Sequence, residues 1–195
     1  LFAHASRLEA ASVAAFRILA PELQRHDAPG SLRKAAHIAA RDELRHTRLT
    51  GALALRYANQ PLAACLGDPP EERTLEAIAT ENMVEGCVRE TYGALVALWQ
   101  ATHSADPVVA SVMASIARDE IAHADLAWQV AAWSESRLSR AARHRVDDAR
   151  AQAFDELERE TATPLAPSLT MLAGLPAPEN ALALVSGLRR ELRAL

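Results

Sequence analysis

Residues 40–46, Ala-Arg-Asp-Glu-Leu-Arg-His, return as residues 117–123, Ala-Arg-Asp-Glu-Ile-Ala-His. Each copy carries Glu-x-x-His, Glu43 with His46 and Glu120 with His123. Residues three apart lie on one face of a helix, so each copy directs a carboxylate and an imidazole the same way. The copies are 77 residues apart, and more repeats near that offset. Glu9 precedes Glu43 by 34 residues, and Glu85 precedes Glu120 by 35. Seven residues after each comes an aromatic, Phe16 or Tyr92, and then Leu19 or Leu95. The chain reads as a duplicated helix pair. It offers four carboxylates and two imidazoles: Glu9, Glu43, His46, Glu85, Glu120 and His123.

Helical phase decides whether these groups face water or a core. At about 100° per residue, Leu32, Ala36, Ala39, Glu43, His46, Thr50, Leu53 and Tyr57 share one face. Lys34, Arg41, Arg45 and Arg48 share the opposite one. Around the second copy, Val109, Met113, Ile116, Glu120, His123, Ala127 and Val130 face one way, and Arg118, Asp125 and Gln129 the other. Both motifs therefore sit in the apolar stripe. Phe2, Ala5, Ser12, Val13 and Phe16 surround Glu9. The face of Glu85 is more polar, with Ile78, Glu81, Asn82, Val88, Arg89, Tyr92, Val96 and Trp99. Glu90 lies about 140° from Glu85 at helical spacing and is expected off that face.

The first helix is expected from about Phe2 to Arg25, with Pro21 a kink or early stop. The second follows Ser31, a plausible N-cap, and runs to about Ala58. The third begins after Asp68-Pro69-Pro70 and runs to about Thr102. The fourth starts at Asp106-Pro107, a cap followed by proline at the first helical position, and runs to about Ser134. Residues 59–70 must then cross the length of a bundle. Twelve extended residues reach at most about 40 Å, close to the ~40 Å of the second helix. The expected fold is all-α, an antiparallel four-helix bundle over residues 1–135 from a duplicated helix pair. Additional C-terminal helices over 136–195 would pack on the bundle or on a partner subunit. That region is basic early (Arg137 to Arg145) and acidic late (Asp155 to Glu160), and it carries no visible chemistry.

With 195 residues the chain suits one domain with a sizeable core. Its net charge of −4 gives no reason to expect nucleic acid or an acidic membrane as partner. Cys65 and Cys87 form neither a disulfide framework nor a zinc spacing and read as reduced thiols. No signal peptide is legible. The apolar stretch from Thr91 to Ala117 is broken at Ser104-Ala105-Asp106-Pro107, so no membrane span is expected. A cytoplasmic location follows as the expectation.

Carboxylates buried unpaired cost several kcal/mol each. Four converging in a core would repel one another and take up protons. Two divalent cations remove that difficulty; mutual hydrogen bonds and salt bridges are the alternative. Oxygen-rich coordination with one imidazole per metal suits iron or manganese, whereas structural zinc more often takes thiolates or further imidazoles.

The array, over about residues 2–134, resembles the ferritin-like superfamily of di-iron carboxylate proteins, which includes ferritins, bacterioferritins, rubrerythrins and di-iron hydroxylases. The resemblance implies that Glu43 and Glu120 bridge two Fe (or Mn) ions, that Glu9 and Glu85 are terminal carboxylates, and that His46 and His123 supply the imidazoles. Asp42 and Asp119 are candidates to accept a hydrogen bond from a ligand imidazole, or are surface residues paired with Arg. Glu81 is an extra ligand, like the additional carboxylate of rubrerythrins, or a partner of Arg89. Tyr92 donates to a ligand carboxylate, passes electrons, or packs in the core. The function implied is an oxidoreductase that activates O2 or peroxide, acts on an unknown small organic substrate, draws on an electron donor, and can work as a homodimer. The alternatives are a ferroxidase or iron-storage protein, a peroxidase or manganese catalase, and a metal-free helical interaction scaffold. No rubredoxin-like cysteine pairs are present, so a self-contained rubrerythrin is not expected.

Overall fold

Alanine and leucine dominate the sequence, and both are strong helix formers. A computed structural model of the chain describes residues 1–58 and 72–192. Among these, every regular element is helical and no strand occurs. No described helix is long and apolar enough to cross a membrane. The 59–70 link and Cys65 lie outside the described residues, as do residues 193–195. The elements are α1 (Phe2–Arg25), α2 (Gly30–Ala58), α3 (Leu75–Glu81), a π-helix (Asn82–Glu90), α4 (Thr91–His103), α5 (Pro107–Glu135), α6 (Arg140–Thr161), α7 (Pro167–Met171) and α8 (Pro178–Glu191). The chain divides into two compact units, Leu1–Ile78 and Ala79–Leu195.

In the first unit, α1 runs through Pro21, which neither stops it nor ends it early. The last turn is held by Ala20, Glu22 and Leu23, all buried. Asp27 then adopts φ 56°, a left-handed conformation that short polar residues tolerate. The amides of Asp27 and Ala28 donate to the carbonyls of Gln24 (3.2 Å) and Leu23 (2.8 Å), closing the helix end as a Schellman motif. α2 begins at Gly30, one residue before the expected cap Ser31, because the amides of Leu32 and Arg33 already bond back to Pro29 O. α1 and α2 pack antiparallel. The buried Ser6 hydroxyl ties them, donating to Thr47 O at 2.8 Å.

The chain entering α3 is anchored by an ion pair that no local pattern announces. Glu22 is 1% exposed, and Arg73 donates to its two oxygens from Nε (2.7 Å) and Nη2 (2.6 Å). The carbonyl of Arg73 lies 3.3 Å from His26 Nε2.

In the second unit, helical geometry is unbroken from α3 through the π-helix into α4. α5 starts as expected, with Asp106 accepting from Val108 N at 2.8 Å and Pro107 in the first turn. α4 and α5 form the second antiparallel hairpin. α6, capped by Ser139, packs with α8 onto this hairpin through Val88, Ala153, Phe154, Leu157, Val185 and Leu188. The segment between them contains the five-residue α7. Gly174, at φ 67°, lies against Ser104, where a Cβ would fall 2.6 Å from the Ser104 nitrogen.

Breaking a buried ion pair leaves an uncompensated charge, at a cost of about 3 kcal/mol or more. Arg73→Met should lose about that much in urea denaturation, and adding Glu22→Leu should recover most of it. A loss below about 1 kcal/mol would show that the pair is not structural.

Candidate metal centre

In the first unit, three groups meet at one point of the α1–α2 hairpin. The α2 stripe has the predicted phase: Leu32, Ala36, Ala39, Glu43, His46, Thr50 and Leu53 are all buried, while Lys34, Arg41, Arg45 and Arg48 are exposed. Tyr57, expected on the buried face, is 42% exposed and packs against Phe2 with the two rings tilted by 34°. His46 Nδ1 lies 3.7 Å from Glu43 Oε2 and 3.9 Å from Glu9 Oε2 on α1. Thr50 holds this turn by donating to His46 O at 2.8 Å, and Thr47 donates likewise to Glu43 O. Ser6, bonded to Thr47 O, fixes α1 at the same level.

The second unit builds the same arrangement from a different residue. His123 Nδ1 lies 3.6 Å from Glu120 Oε2 and 3.4 Å from Glu90 Oε1. Glu85, expected to be the counterpart of Glu9, is not there. Its side chain is 64% exposed and lies 3.9 Å from Arg89. Arg89 also holds Glu160 through two bonds of 2.9 and 3.0 Å and approaches Glu156 at 3.6 Å, so Glu85 belongs to a surface network with α6. Within that network, the Arg89 guanidinium holds the Glu160 carboxyl below its ordinary range.

The exchange of Glu85 for Glu90 has a physical cause. The projection that favoured Glu85 assumed α-helical winding throughout. Residues 82–90 are instead π-helical, which widens each turn by about one residue and makes side chains lag behind the α projection. Met83, Cys87 and Val88 turn inward, Glu85 turns out, and Glu90 arrives beside His123. Two contacts favour this winding. Asn82 Nδ2 donates to Ala127 O at 2.9 Å. Gly86 packs so closely on α5 that a Cβ would sit 2.7 Å from Ala127 Cβ. One sequence signal pointed to the shift: the projected inner face carried Glu81, Asn82, Glu85 and Arg89, too much polarity for a buried stripe.

Each hairpin thus presents two carboxylates and one imidazole with donor atoms within 4.8 Å of one another. The separations from imidazole to carboxylate exceed good hydrogen-bond lengths. Two ligand atoms bound to one ion at about 2.1 Å lie about 3–4 Å apart, and the distances found fall in that range. In both hairpins the Glu of the Glu-x-x-His is the more buried carboxylate.

Glu81 is exposed. Asp42 lies 3.9 Å from Arg45, and Asp119 is half-buried. Tyr92 packs against the apolar cluster of α6 and α8, and burial pushes its hydroxyl up to about 12. Burial likewise pushes the Cys87 thiol up to about 12, so it stays protonated and is no thiolate ligand at neutral pH. Comparison with protein-family models, curated proteins and solved structures finds no match.

Gly86→Ala should destabilise the protein by about 1–3 kcal/mol, through overpacking against Ala127. It should also change the near-ultraviolet signal of Trp128, which donates to Thr91 on the next turn. Unchanged stability would mean that the close approach is not what selects the π-helix.

Proposed function

We propose that the two hairpins associate through their Glu/His faces as a ferritin-like four-helix bundle, and that their triads together hold two iron (or manganese) ions. The single observation behind this reading is the matched pair of triads: Glu9, Glu43 and His46 in one unit, Glu90, Glu120 and His123 in the other, with like distances in each. Four carboxylates balance the four positive charges of two divalent ions, which satisfies groups that would otherwise be costly to bury. Glu43 and Glu120, the more buried pair, occupy the positions that the resemblance assigns to bridging ligands.

We infer that the protein is an oxidoreductase acting on O2 or peroxide, with a small organic molecule as substrate. A bound metal pair would supply the redox chemistry. The protein's own part is to fix the donors, to keep bulk water out and to leave room nearby. His46 is fully buried, and the faces around the first triad are built from small residues such as Ala36, Ala39 and Thr50. Thr50 and Thr47 are bonded to main-chain carbonyls of the same turn, which keeps the imidazole and carboxylate in register.

Reconstitution with Fe(II), and separately with Mn(II), should give about two ions per chain. His46→Ala, His123→Ala and Glu90→Gln should each reduce that number, whereas Glu85→Gln should not. Oxygen uptake by the iron form that rises with added reductant supports the oxygenase reading; uptake that stops at a fixed ratio to iron supports iron oxidation and storage. A folded wild-type chain that takes up no metal contradicts the proposal.

A further inference from the structure

A second feature of the α1–α2 hairpin lies on the side of α2 away from Glu43 and His46. A groove of about 880 Å³ runs between the helices, a volume typical of small-molecule sites. Arg17 from α1 and Arg33, Lys34, His37 and Arg41 from α2 line it, and no carboxylate does. The α2 cations follow helical spacing, so they form a ladder on one face about 12 Å long.

Several arginines elsewhere in the molecule are matched with acids: Arg73 with Glu22, Arg89 with Glu160, Arg150 with Asp147, Arg189 with Asp155. In the groove, Arg17, Arg33, Lys34 and Arg41 form no ion pair with a described carboxylate. Acids outnumber lysines and arginines in the chain by 25 to 21, so this gathering of cations is a segregation. The Nε of Arg33 is buried and makes no hydrogen bond. Such a donor is costly unless an acceptor meets it. Arg33 Nη2 folds back over Gly30, where the N-terminus of the 29-residue α2 also opens onto the groove. The dipole of that helix end adds to the attraction for an anion. Ile38 and Leu44, 40% and 38% exposed, supply apolar surface beside the cations.

We propose that this groove binds a small polyanion, a molecule carrying two or more neighbouring phosphate groups, held by Arg17, Arg33, Lys34 and Arg41. One phosphate would not engage a ladder of this length, whereas two or three in series can. Guanidinium groups suit phosphate because their paired N–H donors match its oxygens. The site is independent of the metal reading and stands or fails separately from it.

The test is calorimetric titration of the full chain with inorganic tripolyphosphate. Saturable binding of one ligand per chain is expected. It should weaken by about tenfold or more in Arg33→Gln/Arg41→Gln and stay unchanged in Arg140→Gln, which removes an exposed cation elsewhere. It should also persist in His46→Ala/His123→Ala, since loss there would mean that the probe was binding metal. Circular dichroism of each variant establishes that it is folded. Absence of saturable binding, or equal affinity in the groove variant, would overturn the proposal. So would binding of single-stranded RNA or phosphatidylserine vesicles about tenfold tighter than tripolyphosphate and lost in the same variant, because the partner would then be a macromolecule or a membrane.

Discussion

Two carboxylates turned toward one buried imidazole form the arrangement on which each hairpin depends. One carboxylate of each triad, Glu43 or Glu120, is buried, and the imidazole stands 3.4–3.9 Å from both carboxylates, longer than a strong hydrogen bond. The surrounding structure nonetheless fixes these groups. Thr47 and Thr50 pin the α2 turn, Ser6 sets the height of α1, and buried alanines bring the helices close enough for Glu9 to reach. In the proposed reading, a cation at the focus of each triad would balance these carboxylates.

The two hairpins reach the same donor set by different routes. α1 and α2 do it with regular winding. The second hairpin uses a π-helix, which exchanges Glu85 for Glu90 and carries the inward face from one set of side chains to another. π-helical turns concentrate at functional positions because regular winding is the easier alternative. Here the irregular turn is supported by Gly86 against Ala127 and by Asn82 on the Ala127 carbonyl. The displaced Glu85 has its own place, in the Arg89 network that joins the π-helix to α6.

The sequence was most legible where one period ruled. The bounds of α1, α2 and α5, and the burial of Glu43, His46, Glu120 and His123, follow from 3.6-residue winding and simple caps. Glu90 was not legible, because its position depends on a change of winding that a projection at constant angle cannot contain. The Glu22–Arg73 pair was not legible either: its partners are 51 residues apart, and each alone looks like a surface charge. The basic face of α2 was read correctly as the side away from the triad. What it forms with Arg17 on α1 required the packing of two helices, and so lay beyond any single-helix pattern.

The proposed dinuclear centre requires both triads to hold one pair of ions. Anomalous X-ray diffraction at the iron edge, on crystals of the Fe(II)-loaded protein, addresses that directly. A shared centre gives two peaks about 3.5–4 Å apart, one against Glu9, Glu43 and His46 and the other against Glu90, Glu120 and His123, with Glu85 pointing away from both. A single peak, two peaks far apart, or iron bound by Glu85 in place of Glu90 would contradict it.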